Sequence, residues 1–158
     1  MNLSSVGGLR GYPSNGIYCA TKWAIEGITE ALAAEIEPFG LRAVIVEPGY
    51  FRTAFLSGPA AGANVAAPME VYAGTVAHQA RANFTAFNGK QLGNPKEGAA
   101  RMWEYVADEG LFKGKRKLLR LPMGSDTFGA LQATIQKFTE TATEYETAIK
   151  STDFPLGE

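Results

Sequence analysis

The sequence has few of the residues from which disulfides and metal centres are built. Its 158 residues include one cysteine, Cys19, and one histidine, His78. One cysteine excludes a disulfide within the chain, and so few ligands exclude zinc centres built from four cysteines or from paired cysteines and histidines. Catalysis of the Ser-His-Asp or Cys-His kind would have to use His78, which no partner motif accompanies. We therefore predict no metal site and no chemistry of this nucleophilic kind.

The sequence also lacks a strong net charge and any long apolar run. Fifteen Lys and Arg residues balance sixteen Asp and Glu residues, so the net charge of −1 argues against nucleic acid or an anionic membrane as a main partner. No apolar run approaches the ~20 residues of a membrane span, and no signal peptide is recognisable. Together with the low cysteine count, these features predict a cytoplasmic protein.

The first third of the chain predicts a helix followed by a strand. Apolar residues recur every four to five positions over 14–39, as on the buried face of a helix, and Ser14 or Asn15 can cap its start. The apolar residues of that face are Trp23, Ile28, Leu32 and Ile36. The run 41–47 is largely apolar on both faces, as a buried parallel strand requires. The two elements therefore form half of a βαβ unit.

The middle of the chain predicts a loop and two helices. Small residues and prolines without a regular pattern predict a loop over 54–68, and an apolar stripe predicts a helix over 69–88. A second helix is expected from Asn94, its N-cap, through Pro95 to about Gly110. Three aromatic residues of this region either line a substrate pocket or pack between helices: Tyr72, Phe84 and Phe87.

The end of the chain predicts a second short strand and a long helix. The strand is expected at 118–121, where Pro122 closes an apolar run. Beyond it, apolar residues alternate three and four apart through three heptads. These residues are Phe128, Leu131, Ile135, Phe138, Ala142, Tyr145 and Ile149. Such a seam has to be buried, either on a partner helix or on the body of the domain.

Two residues with acid–base potential lie one helical turn apart. Tyr18 and Lys22 are four positions apart, so both project from the same face of the predicted helix. A phenol is a poor acid or base near neutral pH, and a neighbouring ammonium favours its phenolate form. The spacing alone is weak evidence, because an exposed helical pair without any function would look the same.

Two further motifs flank this pair. Ser5 belongs to a Ser-Ser-x-x-Gly segment thirteen residues before Tyr18, and a Pro-Gly-x-x-x-Thr segment spans 48–53. In this order, the three motifs resemble the short-chain dehydrogenase/reductase family. Further similarity extends to three later segments, 94–100, 120–126 and 151–155.

The resemblance implies an α/β fold with a Rossmann-like, doubly wound parallel sheet. The chain would supply the C-terminal half of that fold, with a helical substrate lid and a long C-terminal helix. On this basis, residues 1–158 form the C-terminal portion of a single NAD(P)-binding domain. We divide it into a catalytic segment (1–53), a substrate lid (54–117) and the last strand with the C-terminal helix (118–158).

The resemblance also implies hydride transfer between NAD or NADP and a small-molecule alcohol or carbonyl substrate. Tyr18 is expected to be the general acid in reduction and the base in oxidation, and Lys22 to favour its phenolate form and bind the nicotinamide ribose. Ser5 is expected to donate a hydrogen bond to the substrate oxygen. The nicotinamide end of the cofactor is expected to contact Tyr18, Lys22, Pro48, Gly49 and Thr53.

Some motifs of the family have no match in this sequence. Family members bind the cofactor pyrophosphate at a Thr-Gly-x-x-x-Gly-x-Gly turn, and they carry an Asn-Ala-Gly stretch and a further catalytic asparagine. We therefore expect a truncated chain that binds NAD or NADP poorly and is inactive alone. When complete, the protein is expected to be a homo-oligomer. The alternative is a non-catalytic interaction or dimerisation module derived from such an enzyme, which the seam from Phe128 to Ile149 would suit.

Three remaining features are predicted to have structural roles. Cys19 is expected to be a small packing residue, because no base accompanies it. His78 is expected on the surface or half-buried. The basic cluster at 113–117 is expected to be a solvated loop before a strand.

Overall fold

Three parallel strands form the centre of the fold. The computed structural model describes residues 1–57 and 69–154, and within them the strands make one sheet in the order β1, β2, β3. Their bounds are Asn2–Leu3 for β1, Ile45–Pro48 for β2 and Arg120–Met123 for β3. The fold class is α/β with a parallel sheet, as the sequence predicts.

Five α-helices connect and follow these strands in the described part of the chain. Helix α1 (Gly16–Ile36) joins β1 to β2, because parallel neighbours need a crossover connection. Between β2 and β3 the chain forms α2 (Val76–Phe87) and α3 (Pro95–Ala107). After β3 come α4 (Ser125–Glu144) and α5 (Glu146–Lys150). None of the helices that the structure describes has the length and apolarity to cross a membrane.

A small apolar core lies between the sheet and α3. Its buried members are Val44, Val46, Tyr105, Leu121 and Met123. The ring of Tyr105 meets Phe112 edge-on at 5.2 Å between centroids, and its hydroxyl donates a hydrogen bond to the Leu118 carbonyl. Phe51 and Met102 pack against the same core. The core therefore fixes α3 and the segment after β2, both of which line the site described below.

The predicted helix over 14–39 and the two predicted strands are present, with shifted boundaries. The helix is confirmed as α1, and the chain leaves it at Gly40, which takes a left-handed conformation (φ 70°). The strands expected at 41–47 and 118–121 both lie later than predicted. The reason is pairing, since Ile45 is the first residue of β2 with a partner in either neighbouring strand.

The predicted helices of the middle region are also present. The helix expected over 69–88 begins only at Val76, and most of the predicted loop at 54–68 lies outside the described residues. The start of α3 is as predicted, since the Asn94 side chain accepts a hydrogen bond from the backbone N–H of Lys96 at 3.0 Å.

The apolar face of α1, which the sequence assigns either to the core or to a dimer interface, is not covered by the core of this chain. Three of its residues are exposed: Trp23 (45%), Ile28 (65%) and Leu32 (37%). The buried side chains of the helix are instead Cys19, Glu26 and Thr29. These polar groups tolerate burial because neighbouring elements supply partners, as the amide of Asn2 does by donating to the Thr29 hydroxyl at 2.8 Å.

The apolar seam of the last helices is not buried on the body of the domain. Phe128, Ile135 and Phe138 are each 57–60% exposed. The buried residues of α4 are Thr127 and Ala130, which lie on another face of the helix. The expectation that the domain body covers the seam is therefore wrong for these residues.

A buried ion cluster joins α1 to β2 and β3. Arg120 of β3 bonds to Glu26 of α1 and to Glu47 of β2, with 2.7 Å between its Nη1 and Glu47 Oε1. Glu47 and Glu26 are buried, whereas Glu30, 3.6 Å from Arg120 Nη2, lies at the exposed rim. Burial outweighs the hydrogen bond from Arg120 and raises the pKa of Glu47 to about 7. The cluster therefore holds a proton that the unfolded chain would release.

We expect the free energy of unfolding to fall as the pH rises toward and through 7. The pKa of Glu47 is about 7 in the folded state against an ordinary 4.5, so its stabilising proton is fully bound below 4.5 and lost above 7. Urea denaturation at about pH 5 and about pH 8.5 should differ by up to about 3 kcal/mol. Glu47→Gln should flatten this dependence, and an unchanged slope in that variant would contradict the assignment.

Candidate active site

A cavity of about 980 Å³ opens where β1 and β2 end. The candidate residues that line it are Ser5, Tyr18, Lys22, Pro48, Gly49 and Thr53. They come from the segment after β1, from α1 and from the segment after β2. Because the carboxyl ends of parallel strands meet at one edge of the sheet, the fold brings these three segments together. The structure therefore places all of the predicted site residues around one cavity.

Ser5 lies in the tight turn that follows β1. It is buried, and its hydroxyl accepts a hydrogen bond from the backbone N–H of Gly7 at 3.2 Å. A hydroxyl that accepts in this way keeps its own proton for donation. A Cβ at Gly7 would lie 3.2 Å from Cε1 of Tyr18, so a glycine here allows the turn to pack against the phenol ring. The turn thus positions Ser5 and Tyr18 relative to each other.

Tyr18 and Lys22 lie side by side on the face of α1 that faces the cavity. The ammonium of Lys22 lies 5.6 Å from the centroid of the Tyr18 ring and donates to the carbonyl of Leu3 at 3.1 Å. That bond ties the ammonium to the end of β1, beside the phenol ring of Tyr18. On its other side, the Tyr18 ring contacts Phe55 at 5.8 Å between centroids. This environment suits a phenol that transfers a proton.

The turn after β2 is held from a distant part of the chain. Asp126, in the first turn of α4, accepts a hydrogen bond from the backbone N–H of Tyr50 at 2.6 Å. A Cβ at Gly49 would overlap the Asp126 carboxylate, so only glycine fits there. Further along, the Thr53 hydroxyl accepts from the backbone N–H of Phe55 at 3.3 Å. The two contacts fix the backbone that forms this wall of the cavity.

Helix α2 forms another wall of the cavity. Ala77, His78, Arg81 and Phe84 line the cavity and recur at helical spacing. The Ser14 hydroxyl donates to the Ala77 carbonyl at 2.6 Å, which attaches α2 to the loop before α1. Of the two caps that the sequence offered, Asn15 holds the N-cap position, without a side-chain cap hydrogen bond, and Ser14 takes a left-handed conformation (φ 64°).

Two of the three aromatic residues left open by the sequence line the cavity. Tyr72 and Phe84 do so, whereas Phe87 packs edge-on against Tyr50 at 5.5 Å between centroids. Burial raises the pKa of Tyr50 to about 12, so this neighbouring phenol stays neutral at physiological pH. Tyr50 is thus an apolar wall residue and a poor acid–base group.

The structure agrees to different degrees with the structural roles predicted for Cys19, His78 and the basic segment 113–117. Cys19 is buried and unoxidised, as a packing residue should be. His78 is exposed, as predicted, yet it also lines the cavity, and its Nδ1 accepts a hydrogen bond from the backbone N–H of Gly74 at 3.2 Å. The basic segment 113–117 lies before β3, and Lys117 within it pairs with Asp108.

Comparison with known proteins finds similarity to short-chain dehydrogenases. A family model described as short chain dehydrogenase matches residues 1–62. The crystal structure of a short-chain dehydrogenase from Streptomyces avermitilis superposes on 97% of this chain, with a TM-score of 0.74 and 29% sequence identity. The chain therefore resembles the short-chain dehydrogenase/reductase family in sequence over residues 1–62 and in fold over 97% of its length.

Relatives with assigned names are similar over parts of their length. The chain is 49% identical over 55 residues to a 3-ketodihydrosphingosine reductase of Bacteroides thetaiotaomicron, which is 35% of this chain and 20% of that protein. It is 29% identical over 124 residues to the oxidoreductase YusZ of Bacillus subtilis, covering 78% of this chain and 42% of YusZ. The match to the Streptomyces avermitilis structure covers 52% of that protein. The chain thus spans about half or less of the length of these relatives.

Short-chain dehydrogenase/reductase enzymes generally use NAD(P), and the cavity fits the nicotinamide end of such a cofactor. Gly7 and Gly49 leave backbone rather than side chains at two edges of the cavity. An ammonium carries three donors, so the bond from Lys22 to Leu3 leaves capacity for a ribose diol. The pyrophosphate end has no matching motif, because the sequence contains no Thr-Gly-x-x-x-Gly-x-Gly turn.

Three residues of the site were not predicted from the sequence. Arg81 was not considered, Asp126 was considered only as a candidate cap of the last helix, and Tyr50 was only a variable position within a motif. The signal for Asp126 was its place in the first turn of a helix directly after a strand, which suggested a cap alone. For Arg81, the helical spacing to Ala77 and Phe84 could have placed it on the same face.

Proposed function

We propose that this chain carries the acid–base centre of an NAD(P)-dependent oxidoreductase that interconverts an alcohol and a carbonyl compound. The observation that supports this most is the placement of Ser5, Tyr18 and Lys22 around one cavity. The bound cofactor would supply the hydride that reaches the carbonyl carbon.

The side chains would move the proton and stabilise charge at the substrate oxygen. Ser5 donates a hydrogen bond to that oxygen as negative charge develops. Tyr18 then gives it the phenolic proton, and the adjacent ammonium of Lys22 stabilises the phenolate that remains. In the oxidation direction, Tyr18 takes the proton back from the alcohol. Pro48, Gly49 and Thr53 shape the wall against which the nicotinamide lies.

We also propose the activity, cofactor affinity, location and oligomeric state of the chain. We propose that it is inactive alone and binds NAD or NADP weakly, because no motif in its sequence suits the pyrophosphate. We further propose a cytoplasmic location and a homo-oligomer, in which a second copy covers the exposed apolar residues of α1, such as Ile28.

Hydride transfer is the test of this function. The 158-residue chain is assayed with NADH and NADPH against a panel of ketones and aldehydes, alone and in a hybrid. The hybrid joins it to the part of the Streptomyces avermitilis protein that it does not match. We expect the hybrid to oxidise the reduced cofactor and the chain alone to show no measurable oxidation.

The other outcomes have distinct meanings. A folded hybrid that oxidises neither cofactor would refute the oxidoreductase assignment, and a non-catalytic interaction module would then be favoured. Turnover by the chain alone would show that the proposed inactivity is wrong while leaving the chemistry in place.

A further inference from the structure

The cavity has an aromatic ring directly beside the proposed proton donor. Phe55 lies 5.8 Å from Tyr18 between ring centroids, with the rings tilted by 53°, and both residues line the cavity. Phe55 keeps 44% of its surface exposed. Its backbone N–H donates to the Thr53 hydroxyl at 3.3 Å, which fixes the backbone that carries the ring. A group attached to the reacting carbon, which must lie next to Tyr18, therefore has the ring of Phe55 within reach.

Two further rings that line the cavity come from the segment after β2 and from α2. Tyr50 and Phe84 lie 6.0 Å apart between centroids, tilted by 51°. Phe87 supports Tyr50 edge-on at 5.5 Å. We call Tyr50, Phe55 and Phe84 the aromatic wall. Each ring of this wall contacts another ring of the protein, so the wall is formed before a substrate binds.

An aromatic wall discriminates between apolar groups of similar size. An aromatic group gains ring contacts in addition to the burial of its area, whereas a saturated group gains burial alone. The cavity volume of about 980 Å³ is at the upper end of the range of about 300 to 1,000 Å³ that is usual for small-molecule sites. This volume has room for the nicotinamide end of a cofactor and for a ring-bearing group beside it. The wall therefore favours an aromatic group next to the reacting carbon.

We propose that the substrates are aryl aldehydes or ketones and the corresponding benzylic alcohols, with the aromatic ring of the substrate bound at the aromatic wall. This substrate class rests on the function proposed above. In reduction, the carbonyl carbon gains the hydride of NADH or NADPH and the carbonyl oxygen gains the proton of Tyr18, which leaves a benzylic alcohol and the oxidised cofactor. Binding of the ring rests on the wall alone and is measurable without turnover.

Titration of the 158-residue chain with 1-phenylethanol and with 1-cyclohexylethanol, followed by ligand-observed NMR, tests this inference. The saturated alcohol has the larger apolar surface, so area burial alone would favour it. We expect 1-phenylethanol to bind about two- to tenfold more tightly, which is the range that ring contacts add. Phe55→Leu and Phe84→Leu should each reduce this preference, and the double substitution should abolish it. Phe138→Leu, which removes an exposed ring of α4 outside the cavity, should leave it unchanged.

Equal affinity for the two alcohols, tighter binding of the saturated one, binding of neither, or a preference that survives the double substitution would overturn the inference. Circular dichroism checks that each variant folds, and the single variants supply the comparison if the double variant does not fold.

The outcome of this titration is separable from that of the hydride-transfer assay. Tyr18→Phe should keep the preference, because it retains the ring that contacts Phe55. A preference without hydride transfer in the hybrid would refute the proposed function and leave the aromatic wall in place as a binding site. Hydride transfer in the hybrid without the preference would refute this substrate class and leave the proposed function in place.

Discussion

Tyr18→Phe is expected to lower the turnover of the hybrid enzyme by roughly 10²- to 10⁴-fold, the usual contribution of a positioned acid or base. The substitution removes the proton donor and keeps the ring that packs against Gly7 and Phe55. Substrate binding should therefore change far less than turnover. The measurement is the steady-state rate of reduced-cofactor oxidation, with kcat and KM determined separately.

Tyr12→Phe is the matched control for this substitution. Tyr12 lines the same cavity, but burial raises its pKa, and its ring is covered by Arg10 at 4.7 Å. Turnover of that variant should stay close to that of the unsubstituted hybrid. Lys22→Met should lower turnover, because the charge beside the phenol ring is lost. Full activity in Tyr18→Phe would remove Tyr18 from the acid–base role.

Arg120→Met is expected to lower the free energy of unfolding by about 3 to 5 kcal/mol, the usual cost of leaving buried charge without its partner. The substitution strands Glu26 and Glu47, both buried, and no other cation contacts them among the described ion pairs. The loss should be smaller at about pH 5 than at about pH 8.5, because protonation neutralises the abandoned carboxylates. Urea denaturation followed by circular dichroism measures it.

The control for Arg120 is Arg101, whose carboxylate partners lie on its own helix. Arg101 pairs with Glu104 at 2.8 Å and with Glu97 at 3.7 Å, both on α3, and neither carboxylate is fully buried. Arg101→Met should therefore cost about 1 kcal/mol or less. Adding Glu47→Gln to Arg120→Met should restore part of the stability. Equal losses for the two arginine variants would show that burial of the cluster has no energetic role.

The sequence predicted which residues meet at the cavity because its signals are local. Ser5, Tyr18 and Thr53 belong to short motifs whose order along the chain follows the order of strand, helix and strand. Once those elements are parallel, their ends converge on one edge of the sheet. The bond from Asp126 to Tyr50 spans 76 positions, so no local pattern could reveal it.

The orientation of helices was harder to predict than their existence. On α1, periodicity assigned Trp23 and Ile28 to the core or to a dimer interface, whereas Glu26 and Thr29 are the residues that face the core of this chain. Apolar periodicity depends only on the hydrophobicity of each residue, so it does not reveal specific polar partners such as Arg120 for Glu26 and Asn2 for Thr29. Strand ends were misplaced for a similar reason, since pairing rather than composition decides where β2 begins.

Alkylation of the buried thiol of Cys19 can measure how often the turn after β1 separates from α1. Its sulfur lies 3.5 Å from the Cβ position of Gly7, beneath the same turn that positions Ser5. An alkylating reagent can reach this thiol only when the turn separates from α1. Because Cys19 is the one cysteine in the sequence, the rate of alkylation reports how often the site comes apart, without any added label.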